Sequence, residues 1–189
     1  MKTLTVDALI EQIQDKDDAV RAAARDGAGP TGAAAVGPLA KIAAGDELEV
    51  ARAANRAIQN IVYHAGRPGA DDEARAVSSE LIKLIKSDQP VQLRRDAIWM
   101  TWQIAGEEAV EPVAALLANA DLREDARMAL ERLPGAKATA ALKKALASAK
   151  DAEKPAFAHS LGNRGVDVPG VPDLRLKPTK KTSVTPVGR

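Results

Sequence analysis

An all-α chain of five stacked helix pairs is what this sequence predicts, and three observations carry that reading. Apolar residues make up 46% of the 189 positions, yet aromatics make up only 2%, and alanine fills the difference. Such an interior suits closely packed helices better than a sheet of β-branched and aromatic side chains. Apolar positions recur with the 3.6-residue period of amphipathic helices through most of the chain. The string Leu93-Arg94-Arg95-Asp96-Ala97 returns 29 residues later as Leu122-Arg123-Glu124-Asp125-Ala126, and an earlier form stands at Val20-Arg21-Ala22-Ala23-Ala24. Recurrence at about thirty residues is the mark of a repeat array, in which each unit is stable only against its neighbours.

Each element has its own justification. Val6, Leu9, Ile10 and Ile13 share one side of a first helix, with Asp7 and Glu11 opposite. A second helix starts near Asp17, runs through Val20, Ala23 and Ala24, and ends in Gly27-Ala28-Gly29-Pro30-Thr31-Gly32. The second pair has Val36, Leu39 and Ile42, a break at Gly45-Asp46, then Val50, Ala54, Ala57, Ile58 and Ile61. The third has Ser78, Leu81, Leu84 and Ile85, then Leu93, Ala97, Met100 and Ile104. The fourth has Val110, Val113, Leu116 and Leu117, then Leu122, Ala126, Ala129, Leu130 and Leu133. The fifth has Thr139, Leu142 and Leu146, then Ala158 and Leu161.

Two registers check each other. First-helix anchors Val6, Val36, Ser78, Val110 and Thr139 step by about thirty residues, as do second-helix anchors Val20, Val50, Leu93, Leu122 and Lys154. Both series lengthen only at the step into the third pair, to 42 and 43 residues. The surplus falls at Tyr63 to Asp72, where Gly66, Pro68 and Gly69 predict a loop. Asp17, Asp46, Asp88, Asn119 or Asp121, and Asp151 precede the second helices and predict N-caps. Pro38 and Pro112 predict early positions in first helices, where a missing donor is tolerated. Residues 4–163 therefore read as the repeat array. Residues 164–189 carry Pro169, Pro172, Pro178 and Pro186 with Arg175, Lys177, Lys180 and Lys181, and read as a Pro/Lys-rich extended or disordered tail.

The strings at Val20, Leu93 and Leu122 resemble the HEAT-like repeats of the phycobilisome-lyase type. Val36-Gly37-Pro38-Leu39 and Val110-Glu111-Pro112-Val113 match the first-helix pattern of those repeats, and the resemblance covers about residues 4 to 162. It implies a right-handed, armadillo-like α-solenoid of about five HEAT-like helical hairpins whose second helices line a concave face. It is almost silent on function, because such arrays serve many ends.

Charge and chemistry narrow the function. Lys plus Arg number 27 and Asp plus Glu 26, so no strong field draws in nucleic acid or a membrane. There is no cysteine, the N-terminus lacks the apolar stretch of a signal peptide, and no apolar run approaches a membrane span. The expectation is a cytoplasmic protein with no membrane contact. No catalytic residue, metal site or cofactor is expected. His64 and His159 lie about three repeats apart, and the His-Glu dipeptide of iron-binding HEAT-like hydroxylases does not occur. The glycines from Gly27 to Gly32 lack the ending of a phosphate loop, and Ser78, Ser79 and Ser160 have no histidine near in sequence. His64 reads as a solvated loop residue and His159 as a helix cap.

The candidate binding residues come from a helical wheel. Leu93, Ala97, Met100 and Ile104 cluster within about 60°, whereas Arg95, Trp99 and Trp102 fall at about 180–240°. Arg52, Arg56 and Gln59 hold the matching positions one repeat earlier, and Glu124, Met128 and Glu131 one repeat later. The stripe runs from basic through aromatic to acidic, and a tryptophan pair beside arginine is a favoured hot-spot composition. Either a partner covers the indoles, or the Tyr63–Asp72 loop or the Val168–Leu176 tail does. Arg21, Arg94 and Arg123 recur at one repeat position, as an anion ladder or as a structural bond within the repeat. The reading is a non-catalytic scaffold that binds a protein or peptide segment through Trp99, Trp102, Arg95, Arg52, Arg56, Gln59 and Met128. The alternatives are a subunit or accessory factor of a lyase-type or other enzyme assembly, and a HEAT-like nucleic-acid binder, which near-neutral charge disfavours.

Overall fold

Alanine along one stripe of a helix lets a neighbour approach closely, and the backbone is built from that approach. The computed structural model describes residues 4–172, and among these residues it is all-helical, with no strand. The ten α-helices are α1 (Val6–Ile13), α2 (Asp18–Asp26), α3 (Ala33–Ala43), α4 (Leu48–Ala65), α5 (Asp71–Lys86), α6 (Val91–Ile104), α7 (Val110–Ala115), α8 (Arg123–Arg132), α9 (Gly135–Ser148) and α10 (Lys154–Asn163). Each odd helix packs on the even helix that follows it. Each odd helix also touches the next odd one, and each even helix the next even one, from end to end. The core lies between the two rows. Leu9, Leu39, Leu81 and Leu142 enter it from the odd row, and Ile58, Ile61, Ala97, Ile98, Leu122 and Leu130 from the even row, all fully buried.

The surplus between the second and third pairs is mostly helix. α4 continues through Tyr63 and His64 to Ala65, α5 begins at Asp71, and only Gly66 to Ala70 connect them. The expected loop from Tyr63 to Asp72 is thus corrected to a five-residue turn. Its glycines and proline do break the helix, but Val62 and Ala65 are buried and hold the last turn of α4 in place. His64 is accordingly a helix residue and not a loop residue. Gly29, in a 3-10 turn before α3, packs directly on it: a Cβ on Gly29 would lie 2.9 Å from the His64 Cβ. Glycine is needed there to let the turn reach α4.

Capping also departs from the sequence reading. Asp17 caps α2, accepting from the Ala19 N–H at 2.8 Å, and Thr5 caps α1 through the Ala8 N–H. The residues at the N-cap positions of α4, α6, α8 and α10 are Glu47, Pro90, Leu122 and Glu153, none with a side-chain cap bond. Asn119 instead accepts from the Asp121 N–H in the turn ahead of α8. Pro38 is the sixth residue of α3 rather than an early one, because α3 starts at Ala33. Ala34 and Pro38 are both exposed, so the carbonyl that loses its helical donor faces solvent.

Arginine acts at the opposite pole, on the carbonyl ends of the first helices. Arg94 donates from Nε to the Ile85 carbonyl at the end of α5 (2.9 Å). Arg123 does the same to the Leu117 carbonyl after α7 (2.9 Å), and Arg21 donates to the Asp15 and Lys16 carbonyls after α1. The recurring arginine therefore ties the end of each first helix to its second helix in three of the five pairs, at the pole where a cation is favoured. Its bonds are structural. Of the two readings of this recurrence, the structural bond within the repeat is the one these contacts fit, and Arg123 additionally pairs with Glu153 of the next pair.

Arg164 closes the last pair. Its guanidinium donates to the Leu130, Glu131 and Leu133 carbonyls at the end of α8, to the Gly135 carbonyl and to the Thr139 hydroxyl, at 2.6–3.0 Å. Val166 and Val168 then pack against the core beside α10. Residues 173–189, most of the proposed tail, lie outside the described residues. Arg164→Ala orphans several partly buried carbonyls at once and is expected to cost about 1.5–3 kcal/mol in urea unfolding. Arg52→Ala, which breaks only an exposed pair with Glu49, should stay within about 0.5 kcal/mol. Equal losses would refute the capping role.

Candidate binding face around two tryptophans

Trp99 and Trp102 lie three residues apart on α6 and lean over the α6–α8 crossing. Their rings meet edge to face, centroids 5.9 Å apart at 66°. The Arg132 guanidinium, from the last turn of α8, sits over both rings at 5.6 and 5.2 Å, and donates to the Met128 carbonyl at 2.9 Å. The Trp99 indole N–H donates to Asp125 Oδ1 at 3.2 Å. Asp125 also holds Arg95 at 3.3 Å, and Arg95 donates twice to the Asp121 carbonyl. From α8, Arg132 thus holds both rings and Asp125 holds Trp99.

The two rings are not equivalent. Trp99 keeps 36% of its surface exposed, less than Tyr63 (63%) and Leu48 (59%). Trp102 is half-buried and packs against the core. The wheel expectation that both point away from the core is corrected for Trp102: α6 buries Ile98 and Thr101 as well as Leu93, Ala97 and Met100, so its buried arc is wider than one stripe. The rest of the expected stripe divides. Arg95 and Met128 belong to the same patch, Met128 half-buried and contributing its carbonyl. Arg52 and Arg56 are exposed on α4, over a depression shared with α2, and Gln59 is half-buried further along α4. The acidic rung is already engaged: Glu124 pairs with Arg127, and Glu131 accepts from Ser160 and Asn163 of α10.

Three side chains that shape the patch were not singled out by the wheel. Arg132 and Asp125 come from the neighbouring helix, and a wheel sees one helix at a time. Asn55 of α4 donates to Asp96 at 2.7 Å and leaves its own Oδ1 as the one buried side-chain polar atom without a partner among the described residues. Asp96 also accepts from Gln92, and so turns toward α4 while Trp99 turns toward α8. Burial raises the Asp96 pKa above the ordinary carboxylate value, the Asn55 and Gln92 amides oppose the rise, and Asp125 adds to it. His64 lies 3.8 Å from Glu73, and exposed His159 meets the Asn163 amide rather than a helix end. No group of three or more metal-ligating side chains converges among the described residues, and no described helix is long and apolar enough to cross a membrane. No protein-family model matches the chain, and no curated protein matches it.

Two outcomes follow from this geometry. In a Trp102→Phe variant the remaining Trp99 should be readily quenched by acrylamide, and in Trp99→Phe the remaining Trp102 should be blue-shifted and better protected. Equal quenching would remove the distinction between an outer and an inner ring. For Asp96 the raised pKa means that stability from its neutral form is present below the ordinary carboxylate range and is lost as pH rises through the folded value. Asp96→Asn retains an acceptor for Asn55 and removes the charge. The variant should gain on the wild type at pH 7 in urea melts, and the gain should close as pH falls to about 3. A gain that grows on acidification would contradict the burial account.

Proposed function

We propose that this chain is a right-handed α-solenoid of five HEAT-like helical hairpins, and that it works as a non-catalytic scaffold holding a protein or peptide segment on the face of its second helices. The ladder of odd–odd and even–even contacts supports the array, because every pair buries its second stripe only against the next pair. The observation that carries the binding role is Trp99. A large ring with more than a third of its surface open, fixed by Asp125, Arg132 and a second tryptophan, is built as an anchor. Because 36% of its surface is open, covering the ring buries about 50–90 Å² of the roughly 150–250 Å² such a side chain can bury, at little entropic cost. Among the described residues neither candidate cover reaches the ring, and residues 173–176 of the tail lie outside them. The Gly66–Ala70 turn is too short to serve as a flap, and Val168 packs beside α10.

Trp99→Ala is the clean test, since Trp102 also packs on the core and its removal would destabilise the fold. Wild type and Trp99→Ala should be compared for partner capture by affinity purification, with Lys137→Ala on α9 as a control. The tryptophan variant is expected to lose about tenfold or more in affinity with unchanged helicity. Retention of every partner by Trp99→Ala would overturn the assignment.

A further inference from the structure

Resting on that reading, we infer that the face takes an extended acidic peptide in one direction, with its carboxylates over an arginine-lined depression between α2 and α4 and an apolar residue against Trp99. The depression has a volume of about 380 Å³ and is lined by Arg21, Arg25, Arg52 and Arg56 against the two carboxylates Asp18 and Glu49. The four cations differ in how firmly they are engaged. Arg21 is spent on the end of α1 and on Asp18, and Arg25 holds Asp26. Arg52 holds Glu49 in an exposed pair, and Arg56 has no ion-pair partner among the described residues. A positive excess with one uncommitted guanidinium is the composition that recognises carboxylate groups.

The depression and the tryptophans lie on one row of helices. Arg52, Arg56 and Gln59 are spaced along α4 as Arg95, Trp99 and Trp102 are along α6, and the Asn55–Asp96 bond fixes the level of the two helices. Neighbouring helices pack about 8–10 Å apart, so the α2–α4 depression and the α6–α8 crossing are separated by roughly 16–20 Å. An extended chain rises about 3.3 Å per residue, so that distance spans about five or six residues. The acidic end and the apolar anchor therefore sit that far apart in the bound segment. The chain's own residues 173–189 are poorly suited to the depression on charge alone. They carry Arg175, Lys177, Lys180, Lys181 and Arg189 against Asp173.

The test is selection of a displayed library of random linear 12-residue peptides on the full chain, followed by binding of the enriched peptides, synthesised with a fluorescent label, to wild type, Arg56→Glu, Arg56→Lys and Trp99→Ala. The expected result is enrichment of Asp or Glu clusters about five or six residues from an aromatic or aliphatic residue. Arg56→Glu should weaken those peptides about tenfold or more, Arg56→Lys should retain most of the affinity, and binding should fall as salt is raised. Enriched peptides without acids, lost in Trp99→Ala but indifferent to Arg56→Glu, would overturn the acidic-peptide inference and leave the tryptophan anchor standing. No enrichment at all would overturn both, as would self-association or binding of a labelled single-stranded oligonucleotide that alone responds to Arg56→Glu.

Discussion

The structure depends on one constraint: among the described residues several helices bury mostly small side chains and are closed by the neighbouring pair. α2 contributes Ala24 as its only buried residue, and the buried face of α8 is built on Ala126 and Ala129 with Leu130. Small side chains give little burial per residue, but they allow backbones to come close enough for many weak contacts to add up. The third layer of stabilisation is the neighbour. Successive even helices touch, so the apolar surface that one pair leaves open is closed by the next. An array of this kind has two ends where that closure fails.

The ends and the joints are handled by arginine. Within a pair, Arg21, Arg94 and Arg123 satisfy carbonyls that a first helix leaves without donors. Between the last pairs, Arg127 lies under α10, bonded to Ser160 and paired with Glu124 and Glu131. At the C-terminal end of the described residues Arg164 gathers the carbonyls of the α8–α9 turn, and Val166 and Val168 cover what α10 leaves open. A guanidinium suits these places because its planar fork offers several donors in fixed directions, and it remains charged at any pH the fold experiences. The same residue type is thus spent on structure at most positions. That is why an uncommitted arginine such as Arg56 stands out.

The helical pairs were legible in the sequence because the apolar period and the recurring string are local, and each is carried by several residues. Among the described residues, nine of the ten helices contain one anchor each, and Leu122 stands at the N-cap position of α8. What went astray depended on partners distant in sequence. Gly66, Pro68 and Gly69 announced a break, but the extra turns of α4 and α5 around it are held by burial of Val62, Ala65 and Val77 in the core. The acids ahead of second helices had the chemistry of caps, yet only Asp17 makes a side-chain cap bond, and the recurring arginines act on the carbonyl ends of the preceding first helices instead. At the candidate face, the position of Trp99 followed from its angle on α6. The depth of Trp102 did not, because it is set by how α6 sits against its neighbours. Arg132 and Asp125 reach the rings across the α6–α8 crossing, a contact that no single-helix pattern contains.

That crossing also holds the indoles in place. A ring free to rotate in water would have to be ordered on binding, at a cost that offsets part of the area it covers. Trp99 is already ordered: its N–H is held by Asp125, its edge meets Trp102, and Arg132 covers part of both faces. Arg132 in turn is held to the Met128 carbonyl, and Asp125 is held by Arg95. The ordering cost has been met within the fold by contacts between α6 and α8, the same contacts that join the third pair to the fourth. Rigidity of the α6–α8 joint and order of the Trp99 ring are therefore one property, and a substitution that loosens the crossing should weaken both together.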